Sequence, residues 1–247
     1  MFNGTVLCVP RSDAARRAGD YLSELGLHVT RTAAPDVTHV LLPVPSFPAG
    51  DEYFAHILAD LPENIIISGG NLSSLLLKDY TTVDFLQDPY YLAENAAITA
   101  SCALKIAENE TKKALNKCSI LIVGWGRIGK CLCRQLDQKG ASVSVAVRKN
   151  TDRAMICALG YRGISISEAE KDLKGYDVIL NTVPAMVLPD MDAKEGAVIL
   201  ELASKPGMSG ANIIDCRGLP NKMAPDLSGK LIAKTFMRLL FGKEVAL

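Results

Sequence analysis

"ILIVGWGRIGKCLC", residues 120–133, decides the fold. Ile120, Leu121, Ile122 and Val123 read as a buried strand. Gly124, Gly126 and Gly129 follow at once, and a helix then runs toward Gly140. Glycines often mark turns for steric reasons alone. Here the motif directly follows a strand and directly opens a helix, inside a βαβ unit of about 30 residues. In such a turn the first glycine permits the bend, the second lets the backbone approach a pyrophosphate, and the third lets the helix pack on the strand. The helix start then offers free N–H groups and partial positive charge to the anion. A dinucleotide site is expected at Gly124, Trp125, Gly126, Arg127, Ile128 and Gly129.

The end of the next strand, "SVSVAVR", selects among dinucleotides. A site for NAD usually has Asp or Glu there for the ribose 2′-hydroxyl. This chain has Arg148, Lys149 and Asn150, with Arg153 beyond. A guanidinium pairs bidentately with a 2′-phosphate and stacks on adenine, so NADP is expected ahead of NAD. The plainer alternative is that these are solvated loop charges. Two later strands end in "LNTVP" and "ELASKPG". In a doubly wound sheet the ligand crosses the carboxyl ends of the strands. Thr182, Val183 and Pro184 are therefore expected beside the nicotinamide ribose, and Ala203, Ser204 and Lys205 near the nicotinamide. Polar turns without a ligand are the alternative.

Outward from this unit, the first 90 residues alternate strand and helix: "TVLCVP", "SDAARRAGDYLSELG", "HVTRT", "THVLLPVP", "EYFAHILADL" and "NIIISGG". Ser12 or Asp13 is a plausible helix N-cap and Gly26 a stop signal. The alternation predicts a smaller, flavodoxin-like α/β domain with a parallel sheet. From Pro89 to about Asn116 an alanine-rich stretch without Pro or Gly in its interior reads as one long helix, with Asn95 and Thr99 on a shared face near its start. The last helix, "SGKLIAKTFMRLLFG", carries an apolar stripe of Leu231, Ile232, Phe236, Leu239 and Leu240. The expected organisation is an N-terminal α/β domain over 1–90 with helix 228–242 packed back on it, a linking helix over 91–116, and a doubly wound NAD(P)-binding Rossmann domain over 117–227.

Composition supports an ordinary globular chain of 247 residues, 49% hydrophobic and 22% charged. Lys plus Arg equals Asp plus Glu at 27 each, which gives no electrostatic case for nucleic acid or an anionic membrane. Seven scattered cysteines form no CxxC pair, and the three histidines (His28, His39, His56) have no ligand spacing, so neither a metal site nor a disulfide framework is expected. The cysteines read as small buried residues in a reducing compartment. No leader pattern is read at the start, and no apolar run approaches the roughly 20 residues of a membrane span. A cytoplasmic protein is expected.

"VGWGRIG", "AVRKN", "ILNTVP", "ELASKPG" and "GLPNKMAP", in that order, resemble the A subunit of dipicolinate synthase, the enzyme that makes pyridine-2,6-dicarboxylate in spore-forming bacteria. The likeness runs from about residue 85 to the end. It implies a fold like the 2-hydroxyacid dehydrogenases and NADP-linked oxidation of a cyclic dihydro- or hydroxytetrahydro-dipicolinate during sporulation. It also implies a partner, the flavoprotein-like B subunit. Its cofactor residues fall on Gly124, Gly126, Arg127, Ile128, Gly129, Arg148, Thr182 and Pro184. Its substrate cleft falls on Asn95, Thr99, Ser204 and Lys205. The chain departs from the family pattern at Ile98, at Ser101-Cys102 in place of Glu-Gly, and at "CRGLPNK". A homo-oligomer is expected by analogy alone.

No histidine follows His56, so the usual dehydrogenase base is missing from the second half. Aromatising a dihydropyridine needs only a weak base, for which Lys205, Ser204 or a water are candidates. Lys205 is equally suited to pairing with a substrate carboxylate. The N-terminus of the long helix, at Asn95 and Thr99, is a candidate for the other carboxylate. Two other readings remain: a different NADP-dependent dehydrogenase acting on a small acid, and a nucleotide-binding subunit without chemistry of its own.

Overall fold

The computed structural model describes residues 4–46 and 52–243. Its elements run β1 (Thr5–Cys8), α1 (Asp13–Glu24), β2 (His28–Thr30), β3 (Val37–Leu41), α2 (Glu52–Ala59), β4 (Ile66–Gly69), β5 (Thr81–Asp84) and α3 (Pro89–Thr111). The second half follows with β6 (Ile120–Val123), α4 (Arg127–Gln138), β7 (Val143–Val147), α5 (Asn150–Ala158), β8 (Arg162–Ser165), α6 (Ile166–Lys171), β9 (Val178–Asn181), β10 (Leu188–Met191), β11 (Val198–Glu201), β12 (Met208–Gly210) and β13 (Ile213–Asp215). Two helices close the chain, α7 (Leu219–Met223) and α8 (Pro225–Phe241). The chain divides into two compact units, one of Met1–Asn95 with Pro220–Leu247 and one of Ala96–Leu219.

The first unit holds a five-stranded parallel sheet in the order β2-β1-β3-β4-β5. Its inner strands β1, β3 and β4 are short, mostly buried runs because both faces are covered, whereas the edge strands β2 and β5 are partly exposed. Val6, Leu7, Val40, Leu41 and Ile67 are almost fully buried. Ser12 caps α1, its hydroxyl accepting from the Ala15 N–H, and Gly26 ends the turn with φ 86. Within this unit α8 packs on α1, burying Leu231, Ile232 and Phe236. Leu239, expected in the buried stripe, is 37% exposed, because the stripe rotates off the contact face before the helix ends.

Asp88 fixes the start of α3. Its carboxylate accepts from the Tyr91 N–H at 2.6 Å and from Arg238 of α8 at 2.6 Å. Burial alone pushes this carboxyl up, but the Arg238 hydrogen bond and charge and the Tyr91 N–H outweigh it and hold it below the ordinary carboxylate range. A depressed folded-state pKa contributes stability that is present above the unfolded value and lost as pH falls through the folded one. Asp88→Asn is therefore expected to cost about 2 kcal/mol at neutral pH. The gap from wild type should start to narrow below about pH 4, near the unfolded-state value, and close only once pH has fallen through the lowered folded-state value. Urea melts of both proteins across that range check it.

The long helix stops at Thr111 rather than near Asn116. Lys112 takes φ 53, the Thr111 hydroxyl bonds back to Ala107, and a separate 3₁₀ turn covers Leu115–Lys117. The second unit is built on a six-stranded parallel sheet in the order β13-β11-β9-β6-β7-β8. Renumbered within the unit this is 6-5-4-1-2-3, the doubly wound dinucleotide-binding order, and it reverses between β6 and β9. Its four central strands are buried at every residue. β10 and β12 form a separate parallel pair beyond it. Five of the seven cysteines are buried, as small core residues; Cys131 is half-buried and Cys157 is exposed, correcting the uniform expectation. Among the described residues no helix is long and apolar enough to cross a membrane, and no group of His, Cys, Asp or Glu could hold a metal.

Candidate active site

The three glycines of the β6–α4 turn meet three different surroundings. Gly124 has φ 103, and a Cβ there would lie 2.5 Å from Thr182 Oγ1. Gly129 faces backbone: a Cβ would collide with the Gly124 carbonyl oxygen and lie 3.2 Å from its carbon. Both are required by the fold itself. Gly126 is not. Its φ of −78 suits any residue, and a Cβ would meet no atom within 4 Å. It is the N-cap of α4 and supplies no side-chain hydrogen bond to the first turn. The N–H groups of that turn thus face open space beside a glycine that the protein's own packing does not explain.

That space continues into a cleft of ≈ 220 Å³ lined by Gly124, Trp125, Gly126, Arg148, Lys149 and Val183, all six expected from the sequence. Trp125 is placed by the Tyr161 ring, with centroids 6.2 Å apart, and by Lys130 at 5.8 Å. Arg148 and Lys149 are exposed and, among the described residues, have no ion-pair partner, whereas Arg153 is engaged with Glu168 at 3.6 Å. Asp152, from the first turn of α5, also lines the cleft. The strand-end pattern does not reveal it, since it lies one turn past the expected position. With Arg148 and Lys149 it leaves the local charge positive. Asn150 is exposed and starts α5.

The carboxyl ends of β9 and β11 carry the other expected residues. Thr182 donates to the Val123 carbonyl at 2.9 Å, which ties the β9 loop to the end of β6. Val183 is half-buried and Pro184 exposed. Ala203 is buried, while Ser204 and Lys205 stand exposed at the loop tip. Beneath them lie two residues that sequence reasoning misses. Asn181 is fully buried and Glu201 is 4% exposed. Asn181 Nδ2 lies 2.8 and 3.0 Å from the two Glu201 carboxylate oxygens. A polar residue ending an apolar strand is a signal, but only the pairing of β9 with β11 shows that the two meet.

Asn95 and Thr99 sit inside α3, which begins at Pro89. The expectation that they offer a helix N-terminus to a carboxylate is corrected: the first turn is already capped by Asp88, and N–H groups at 95 and 99 lie within the helical ladder. Thr99 is 6% exposed. Ser101 donates to Gln135 of α4 at 3.1 Å, and Cys102 is buried.

Residues 119–203 match the family model described as "NADP oxidoreductase coenzyme F420-dependent". The A subunit of dipicolinate synthase from Bacillus subtilis (strain 168) is 28% identical over 159 residues, covering 59% of this chain and 53% of that protein. The chain is similar to the dipicolinate synthase A subunit. It spans about half the length of that curated relative in the match. The crystal structure of the dipicolinate synthase A subunit from Bacillus halodurans superposes with TM-score 0.79 at 21% identity, covering 96% of this chain and 98% of that one. The A chain of dipicolinate synthase from Bacillus subtilis gives 0.76 at 20%, covering 97% and 96%. At these identities the structures establish that the fold is shared across nearly the whole chain.

Proposed function

We propose that the chain is an NADP-dependent oxidoreductase akin to the dipicolinate synthase A subunit, oxidising a dihydro- or hydroxytetrahydro-dipicolinate to dipicolinate. The observation that carries the cofactor half is Gly126: an open glycine at the uncapped start of α4, in the cleft that holds Arg148 and Lys149. That arrangement suits a pyrophosphate on the first-turn N–H groups and a 2′-phosphate on the two cations. The chemistry supplied by the bound group is acceptance of a hydride at the nicotinamide.

Within this reading the chain's own residues bind and orient. Thr182, Val183 and Pro184 border the nicotinamide ribose, and Ala203 backs the ring. For the dihydro substrate a ring carbon gives up a hydride and the ring loses a proton, which Lys205, Ser204 or a water accepts. Asn95 and Thr99 are the substrate-side candidates through their side chains. The proposed partner is a flavoprotein-like B subunit. Ser101-Cys102 in place of a family carboxylate favours a second reading, a nucleotide-binding subunit without chemistry. Turnover by the isolated chain would rule that reading out.

Thermal midpoints with 1 mM NADP, 1 mM NAD or neither test the cofactor assignment on wild type and Arg148→Ala. NADP is expected to raise the wild-type midpoint more than NAD does. Arg148→Ala should leave the unliganded stability within about 0.5 kcal/mol of wild type, because its side chain is exposed and unpaired. It should weaken NADP about 10- to 100-fold, the range for a lost charge-assisted pair, and leave NAD nearly unchanged. If neither nucleotide moves the wild-type midpoint, the glycines are structural and the oxidoreductase reading falls with them.

A further inference from the structure

Glu201 is a buried carboxylate with three neutral donor groups turned toward it. Oε1 accepts from the Ala203 N–H at 3.0 Å, Oε2 from the Gly207 N–H at 2.8 Å, and both lie on the Asn181 amide. Asn181 in turn closes its own loop. Its Oδ1 accepts from the Val183 N–H at 3.0 Å, and its Nδ2 lies 3.0 Å from the Val183 carbonyl. A Cβ at Gly207 would run into Val183 O and Asn181 Nδ2, so the two loops pack backbone against backbone. Thr182 extends the connection to Val123 at the end of β6.

Burying a carboxylate is costly unless its acceptor sites are filled. Here they are filled by the Asn181 amide at the end of β9 and by two N–H groups of the 203–207 loop, beside the proposed nicotinamide position. A carboxylate is also the one side chain of this length with acceptors alone. Glutamine would set an NH₂ against the Ala203 or Gly207 N–H and against the Asn181 amide.

We propose that Glu201 and Asn181 are positioning residues that lock the 182–184 and 203–207 loops into one layer, and so fix the nicotinamide half of the cofactor far more than its adenosine half. This rests on the reading that NADP lies across the β6–α4 turn. The adenosine half lies in the Arg148 cleft, which Asn181 and Glu201 do not line and which meets the latched loops only through Val183. The nicotinamide half lies over the layer the latch holds.

The two halves are separable by ligand. 2′,5′-ADP probes the adenosine end, and NADPH probes both while its emission reports whether the dihydronicotinamide is held. With Glu201→Gln, 2′,5′-ADP is expected to bind within about twofold of wild type, NADPH at least about tenfold more weakly, and the emission change on binding to disappear. Unchanged NADPH affinity and emission in the variant would overturn the proposal. So would equal weakening of both ligands, which marks the latch as merely structural. If Glu201→Gln does not fold, Asn181→Ser carries the same test, because it uncouples the loops yet leaves the Ala203 and Gly207 hydrogen bonds to Glu201. Wild type that binds neither ligand overturns the dinucleotide reading itself, an outcome distinct from wild-type-like binding by the variant.

Discussion

Gly126→Ala is expected to leave the protein folded and to abolish cofactor binding. Two opposing effects on stability are both small. Alanine is the poorer N-cap, at a cost of about 0.5–1 kcal/mol. It also narrows the unfolded ensemble, which returns about 0.4–1 kcal/mol when the native backbone angles suit it. The φ of −78 does suit it, and the methyl meets no protein atom within 4 Å. The net change in midpoint should therefore lie within a degree or two. Binding is different. The proposed pyrophosphate must come within hydrogen-bonding reach of the first-turn N–H groups, and the methyl occupies that approach. A loss of at least about 100-fold in NADP affinity is expected, near 2.7 kcal/mol. Calorimetric titration of wild type and variant, with a thermal melt of each, checks both halves. A variant that binds NADP like wild type would place the pyrophosphate elsewhere.

This contrast between glycines is where sequence reading reaches its limit. The spacing of Gly124, Gly126 and Gly129 predicts the turn, but it does not say which glycine serves the fold and which is left for a ligand. Tertiary contacts with Thr182 and Gly124 decide that. The same division runs through the fold. β6, β7, β9 and β11 are legible because central parallel strands are covered on both faces and read as unbroken apolar runs. β5 (TTVD) and β8 (RGIS) are not legible because they lie at sheet edges, where half-exposed polar residues erase that signal, and β13 (IID), also at an edge, is only three residues long. At the site, Arg148 and Lys149 are legible as cations at a strand end. Asn181 and Glu201 are not legible as a pair, since 20 residues separate them and only the parallel register of β9 and β11 brings Asn181 opposite Glu201. Helix polarity gives the opposite error at Asn95 and Thr99. The alanine-rich pattern locates the helix start at Pro89, but residues 95 and 99 lie beyond the first turn, which Asp88 fixes through Tyr91 and Arg238.

Gly129→Ala is expected to do the reverse of Gly126→Ala and damage the fold first. The added methyl points at the carbonyl of Gly124, and both partners are backbone, so no side-chain rotamer can relieve the overlap. Either α4 lifts from the end of β6 or the turn at Gly124 opens. α4 cannot lift cheaply, because Leu132, Cys133 and Leu136 on its inner face are all fully buried. Opening the turn disturbs Gly124, which sits at φ 103 beside Thr182, whose hydroxyl is tied to the Val123 carbonyl. Overpacking of this kind costs about 1–3 kcal/mol, and the absence of a flexible partner puts this case at the upper end. For a chain of this size about 3 kcal/mol lowers the midpoint by roughly 6–12 °C. Cofactor affinity should also fall, because the first-turn N–H groups move with α4, but as a consequence of the shift. The order of the two effects is the diagnostic. Differential scanning calorimetry without nucleotide should rank wild type and Gly126→Ala together and Gly129→Ala well below them. A Gly129→Ala midpoint equal to wild type would mean that the helix stands farther from the strand than these contacts require.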